Sequence, residues 1–494
     1  MLEDNKSSYR SIFKATSLFG GVQVYQILIQ IIKSKFVAVL LGPAGVGIMG
    51  LYQSGLQLIQ QLSSMGLAQS AVRDVSEANG SNDMLRIAKT VTVVRKLVWV
   101  TGLLGLVLVV CFSPLLSKAS FGNYDYTIPF IILSITLLFD QLIAGQKVVL
   151  QGMRRLKDLA KCSAFGVTFG LITSVPLYYW LGIDGIVPTF ILNSLCSLLL
   201  SWFYSRKIKV EKVKVTPKQT LEQGKLMLVM GISMSLSGIL CTVVAYAIRS
   251  YIQVNGGIEI VGLYQAGFII MSTYVGMITN ALATDYYPRL AAINKDNHKC
   301  REVVSQQGEI GVMILAPMLT VCLVFMPFVL KILYSNSFLA ANEYISWSCL
   351  GMMLRMASWV LAFLFVAKAE SKLYMINELS ANLYYLVFSL IGYKTLGLTG
   401  LGIAFALEYV VYFIQCYLIV RKRYDFRFSN NFLKCYGIQL LLIIVCLIIV
   451  LTLGGWQKYT LGNVVIVISC YLGIKGLNQK MDMSNVIKTN FLHR

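Results

Sequence analysis

KSKFVAVLLGPAGVGIMGLYQSG, residues Lys33 to Gly55, ends one apolar helix, turns at Gly42-Pro43, and opens a second helix through Gly50-Leu51-Tyr52-Gln53-Ser54-Gly55. Nearly the same six residues return at Gly262-Leu263-Tyr264-Gln265-Ala266-Gly267, 212 positions later. A second pair agrees: Leu181-Gly182-Ile183-Asp184-Gly185 and Phe190 match Leu396-Gly397-Leu398-Thr399-Gly400 and Phe405, at an offset of 215. The basic ends Arg206-Lys207 and Arg421-Lys422 keep that second offset. Matches at nearly one spacing argue for a duplicated chain. A duplicated membrane chain points to a transporter built from two halves, with its site between them.

Composition makes this a membrane chain. Hydrophobic residues are 57% and charged residues 13%, with a mean hydropathy of +0.70. Apolar runs of about 20 residues recur, each long enough to cross a bilayer as a helix. In hydrocarbon the backbone must satisfy its own hydrogen bonds, so these runs are expected to be helices. Fourteen candidate spans emerge, and the fold class is all-α: a polytopic membrane protein with two six-helix repeats around a central cavity, plus two extra C-terminal helices. The boundaries are 1–205 for the N-lobe, 206–224 for a linker, 225–422 for the C-lobe, and 423–494 for helices 13 and 14 with a tail.

The net charge of +21 invites a nucleic-acid reading, but its distribution excludes one. Odd-numbered connections hold only Lys118, Lys331, Lys394 and Lys458, and Lys33, Lys35, Arg249 and Arg355 lie well inside spans. The rest of the 43 Lys and Arg gather at even-numbered connections and at the tails. The positive-inside rule then places both termini in the cytoplasm, and the basic charge faces anionic lipid. The linker carries seven basic residues from Arg206 to Lys225 and is a candidate amphipathic surface helix. Because six spans is an even number, the two repeats share one orientation, with the relating axis along the membrane normal.

Polar residues inside spans are informative, because a Lys or Arg at a helix centre costs about 2.5–3.5 kcal/mol on insertion scales. Gln23, Gln26, Gln30 and Lys33 share one helical face of the first span, by spacings of 3 and 4. Gln53 and Gln57, with Gln60 or Gln61 and Ser64, form a second stripe. Ser235, Thr242, Tyr246 and Arg249 form a third, and Gln265, Ser272, Tyr274 and Asn280 a looser fourth. Together they are candidates for the wall of a hydrated cavity; singly, each could simply bond a neighbouring helix. Lys33, Lys35, Arg249 and Arg355 have no acidic partner within a turn of their own helix. They are candidates for gripping an anionic headgroup, a pyrophosphate above all, since Arg offers a planar donor fork and Lys a compact charge. The plain alternative is interhelical pairing with Asp140, Glu408 or Asp285. Asp140 and Glu408 are candidates for a coupling ion, H+ or Na+. Arg73, Asp74, Asp285 and Arg289 stand where the second and eighth spans end, as a candidate gate or as interfacial anchors.

Several chemistries are not encoded. The glycines of LGPAGVG lack GxxxxGK[ST] and a preceding strand, so they do not form a phosphate loop. The eleven Cys include no CxxC pair and the only His are His298 and His493, so no metal site or cofactor is expected. The outer connections are too short for a catalytic domain, so the chain reads as no enzyme. No cleavable signal is evident at the N-terminus.

The chain resembles the Wzx-type translocases, the O-antigen and enterobacterial common antigen (lipid III) flippases of the multidrug/oligosaccharidyl-lipid/polysaccharide superfamily. The matching stretches are Lys35 to Gly47, Phe121-Gly122-Asn123-Tyr124-Asp125-Tyr126, Val261 to Gln265, Tyr287-Pro288-Arg289-Leu290, Leu333-Tyr334-Ser335-Asn336-Ser337-Phe338, and Phe365-Val366-Ala367-Lys368-Ala369. They span the first twelve helices in the family's order; many members stop at twelve, whereas related lipid II flippases have fourteen. The resemblance implies a two-lobed helical fold with a central basic cavity in the bacterial inner membrane. It also implies alternating-access transfer of undecaprenyl-pyrophosphate oligosaccharide to the periplasmic leaflet, in company with polysaccharide polymerase and chain-length machinery. Lys33, Lys35 and Arg249 sit where related lipid II flippases carry cavity cations. An ion-coupled multidrug exporter of the same superfamily is the alternative. Cavity bases outnumber cavity acids, which favours an anionic cargo. A membrane polymerase or ligase would need a large outer loop, and a purely structural subunit would not need the buried cations.

Overall fold

The computed structural model describes the backbone of residues 2–481, except 82, 209, 211–212, 277–278, 280–281, 283–285, 287–288, 291–292 and 369, and describes side chains from residue 21 onward with further gaps inside helices. Every regular element among the described residues is helical. The helices are α1 (Leu2–Ser64), α2 (Leu67–Gly80), α3 (Met84–Phe121), α4 (Thr127–Gly152), α5 (Leu156–Leu181), α6 (Ile186–Arg206), α7 (Pro217–Gly256) and α8 (Ile258–Ile269). They continue with α9 (Asn297–Leu333), α10 (Asn342–Ala367), α11 (Ser371–Tyr424), α12 (Asn430–Thr452) and α13 (Gly455–Met481).

Among the described residues nine helical segments are long and apolar enough to cross a membrane. Three contain a break at glycine: Gly21–Ser64 at Gly42, Lys157–Arg206 at Gly182–Gly185, and Lys372–Tyr424 at Gly397. Each of these three is a pair of spans. With the 40-residue α7 and the shorter apolar helix Ile258–Thr273, the helices account for the fourteen spans expected from the sequence.

The breaks recur at the repeat spacing. Gly182 (φ 56°, ψ −130°) and Gly397 (φ 59°, ψ −135°) share one conformation, 215 residues apart. Gly42 (φ 65°, ψ −170°) and Gly257 (φ 84°, ψ 173°) share another, also 215 apart. Non-glycine residues are essentially excluded from backbone near these values. The duplication therefore appears in the backbone as well as in the letters.

By contacts the chain divides into two compact units, residues 1–262 with 333–335, and residues 263–332 with 336–494. The boundary falls one helix later than the repeat boundary, because contacts and ancestry divide a chain by different criteria. Within the first unit α7 lies against the corner between α1 and α2, where a Cβ on Gly231 would stand 2.4 Å from the Met65 carbonyl oxygen. The same unit holds a second close crossing, between the Gly42-Pro43 turn and the start of α8. A Cβ on Gly47 would stand 2.1 Å from the Ile258 carbonyl oxygen, and one on Gly262 would stand 1.9 Å from that of Pro43. Only glycine lets the backbones meet so closely.

Two expectations are corrected. The second span, read from the sequence at roughly residues 43–70, ends earlier: α1 stops at Ser64, and Gly66 at φ 63° separates it from α2. The linker is not an amphipathic helix either, since its described residues between 207 and 216 are non-helical. Its Val-Lys alternation carries weak helix propensity. Ile208 and Val215 are instead buried in one apolar cluster with Leu67, Val91 and Val148. Lys96 Nζ ties the strap down by donating to the Val215 carbonyl at 2.6 Å. The helix resumes at Pro217 behind a capping box, in which Thr216 and Gln219 each accept from the other's backbone N–H.

In the second unit α10 packs on the α11 hairpin, whose two arms meet where Gly392 and Gly400 face one another. The last two helices dock on α9: Gly462 faces Val324, and Gly473 and Gly476 face Met313. Buried Gln439 and Ser469 exchange hydrogen bonds and join α12 to α13.

Candidate functional site

In the first unit the polar stripe of α1 survives folding. Gln26 and Lys33 are half-buried, and Gln30, Gln53 and Gln57 are exposed. Lys35 is engaged: its Nζ donates to the Tyr334 carbonyl at 2.6 Å. On α7, Tyr246 and Arg249 lie one turn apart. The Tyr246 hydroxyl bonds Ser120 at 2.9 Å, and Arg249, 6% exposed, donates from Nη1 to the Ala245 carbonyl at 3.0 Å. Long side chains in apolar surroundings satisfy themselves on their own helix's carbonyls when they can.

The α4 polar residues act as helix clamps. Ser194 donates to Asp140 Oδ1 at 3.0 Å, Gln141 Nε2 donates to Thr101 at 2.9 Å, and Ser201 donates to Gln146. Asp140 thus meets a hydroxyl of α6. Arg73 on α2 is exposed, and beside it Asp74 is half-buried. Burial pushes the Asp74 carboxyl above the usual carboxylate range, and the Arg73 guanidinium offsets part of the rise.

The second unit concentrates charge between α10 and the α11 hairpin. Glu408 is buried, with Arg355 and Glu378 as its charged neighbours. The Arg355 guanidinium carbon lies 5.8 Å from the Tyr409 ring centroid. Tyr412 donates to Glu378 Oε1 at 3.3 Å. One turn further along α11, Gln415 Nε2 donates to Asn377 at 2.6 Å and to Ser380 at 2.8 Å, while its Oε1 accepts from Tyr384 at 2.8 Å. Among the described residues Arg355 forms no ion pair within 4 Å with either carboxylate, though both feel its charge. Gln265 is buried in the same unit, and Arg289 Nη2 donates to Gln307 at 3.3 Å. Asp285, Tyr287 and Pro288 lie outside the described residues.

Arg355 is thus a charged neighbour of Glu408 without an ion pair within 4 Å among the described residues, and Asp140 meets a serine. Glu378 was missed by sequence reasoning. The signal available was the pair Asn377-Glu378 six residues into an apolar span, and the Tyr412/Gln415 spacing that places both on one face of α11.

Comparison with known proteins gives three findings. The family described as polysaccharide biosynthesis protein matches residues 36–343, more than half of the chain. The lipid III flippases of Escherichia coli (strain K12) and Shigella flexneri are each 24% identical over 430 residues, covering 84% of this chain and all of theirs. Among solved structures, an inward-facing multidrug resistance MATE family transporter of the MOP superfamily superposes with a TM-score of 0.66 and 17% identity, covering 81% of this chain and 94% of that one. The lipid II flippase MurJ in its inward closed conformation superposes with a TM-score of 0.64 and 13% identity, covering 97% of this chain and all of MurJ. The MurJ likeness is wide enough to take in α12 and α13. At such identities the two structures establish the fold alone.

Proposed function

The chain belongs to the polysaccharide biosynthesis protein family, and from that premise we propose that it is a flippase for undecaprenyl-pyrophosphate-linked oligosaccharide. It moves a surface-polysaccharide repeat unit from the cytoplasmic to the periplasmic leaflet of the inner membrane, with both termini cytoplasmic. The observation that carries the reading is the likeness to the lipid III flippases over their whole length. The lipid tail of such a cargo can stay in hydrocarbon, while its pyrophosphate and sugars need a polar path. Lys33 and the exposed glutamines of α1 supply charge and amide groups within spans that are otherwise apolar. Arg249, bonded to its own helix, and Lys35, bonded to the Tyr334 carbonyl, add two further cations. Many weak contacts let a charged headgroup pass, whereas one strong site would trap it.

Glu408, a buried carboxyl with Glu378 as a second acidic neighbour, is the leading candidate for a coupling ion, H+ or Na+. Asp140, bonded to Ser194, is the weaker candidate. Arg73 and Asp74, midway along α2, and Arg289 serve as gate residues. Polymerase and chain-length proteins consume the delivered unit. Reconstitution tests the function: vesicles holding the protein and a labelled lipid-linked oligosaccharide are probed with an impermeant lectin. Exposure above protein-free vesicles supports the flippase. Transport of a cationic dye with no exposure of any lipid-linked glycan replaces it with an exporter.

A further inference from the structure

The first unit carries a second feature that cargo transfer does not use. A cleft of about 650 Å³ opens on the faces of α3, α4 and α6. That volume lies within the roughly 300–1,000 Å³ of small-molecule sites. Its walls are apolar, with Trp99 and Trp202 about half exposed, and its polar end is formed by Arg95 and Arg206. Among the described residues neither guanidinium has a carboxylate within ion-pair distance. The Arg206 guanidinium carbon lies 5.1 Å from the Trp202 ring centroid, which holds the fork beside the cleft. The one amide in the wall, Gln146, is already engaged by Ser201. An occupant therefore needs a long apolar part and a compact anionic head.

We propose that the cleft between α3, α4 and α6 binds an anionic phospholipid, with its phosphate on Arg95 and Arg206 and an acyl chain along the apolar wall. Arg grips phosphate with a planar donor fork, and Trp settles at the headgroup level of a bilayer. Arg206 begins the basic connection to α7, so both cations belong to the end of the unit that meets the anionic leaflet. The occupant is a resident lipid, and none of the residues assigned to the cargo path lines the cleft.

Native mass spectrometry of the full chain in detergent, with added phosphatidylglycerol, cardiolipin or phosphatidylethanolamine, tests this. The wild type is expected to retain the anionic lipids at least tenfold better than phosphatidylethanolamine. The double variant Arg95→Gln/Arg206→Gln is expected to lose that preference. Leu199→Trp, which fills the cleft from an exposed wall position without changing charge, is expected to lower retention with an unchanged melting temperature. Equal retention by wild type and double variant, or full retention by Leu199→Trp, overturns the proposal. Lipid retention is read without transport, so failure of the flippase reading leaves this result standing, and the reverse also holds.

Discussion

Arg355 is the basic neighbour of two carboxyls on the α11 hairpin, the buried Glu408 and Glu378. Removing it leaves Glu408 and Glu378 facing one another in low dielectric, whereas Glu408→Gln keeps the shape and removes a charge. Stripping the cation from a buried charge cluster typically costs about 3–5 kcal/mol. Arg355→Ala is therefore expected to lower the thermal midpoint well below that of Glu408→Gln in a detergent melting assay; the opposite order would show that Glu408 is not a charge neighbour of consequence. For transport the ranking differs: Arg249→Ala is expected to abolish it with expression and insertion intact, and Arg355→Ala to reduce it less. Wild-type transport by Arg249→Ala would remove that residue from the cargo path. Asp296 offers a pH test. Its carboxylate accepts the backbone N–H groups of Lys299 and His298 at 3.1 and 3.0 Å, the Lys299 bond foremost, and is thereby held below the usual carboxylate range. A depressed carboxyl stabilises fully above its unfolded value, about 3.9, and loses that contribution as pH falls through the folded value. Amide exchange at Lys299, corrected for its intrinsic pH dependence, is expected to speed up below about pH 4 in the wild type and to be fast at all pH in Asp296→Ala. Side-chain partners of this kind were only partly legible. Helical spacing shows which residues share a face, but not that Ser194 reaches Asp140 across 54 positions, nor that Tyr412 meets Glu378 across 34.

At the scale of elements, the opening stretch carried more of the fold than any other. Its Gly42-Pro43 stretch was readable as a turn and the matched Gly182 and Gly397 as a repeat, while the pairing of Gly42 with Gly257 shows only in the backbone. The α7 placement was not readable, because Gly231 and Gly66 are ordinary glycines until the backbones meet. The linker misled because its charge suggested a helix, while its valines find an apolar cluster. A glycine comparison tests the packing. Gly262→Ala forces a methyl against the Pro43 carbonyl and is expected to destabilise strongly. Gly397→Ala meets no atoms, yet its backbone strain is expected to cost about 1–3 kcal/mol. Gly437→Ala, in open space within α12, is expected to be neutral or to stabilise by up to about 1 kcal/mol. A Gly262→Ala variant as stable as wild type would contradict the crossing of the turn with α8.

At the scale of the whole molecule, composition and charge bias were enough to read a multi-pass helical protein, because hydrocarbon leaves the backbone few other choices. Function was legible through the duplicated turns and the family likeness more than through any one residue. In the proposed function the cargo is recognised by many weak contacts, and no single chemistry would mark them in the sequence. The central claim is that this chain equilibrates a lipid-linked glycan between leaflets. Its most direct test is leaflet exposure in proteoliposomes containing labelled undecaprenyl-pyrophosphate oligosaccharide and an impermeant probe. The account predicts that the accessible fraction rises above that of protein-free vesicles, and that the rise is lost in Arg249→Ala. An accessible fraction no higher than in protein-free vesicles, across several glycans and with a folded protein, would contradict it.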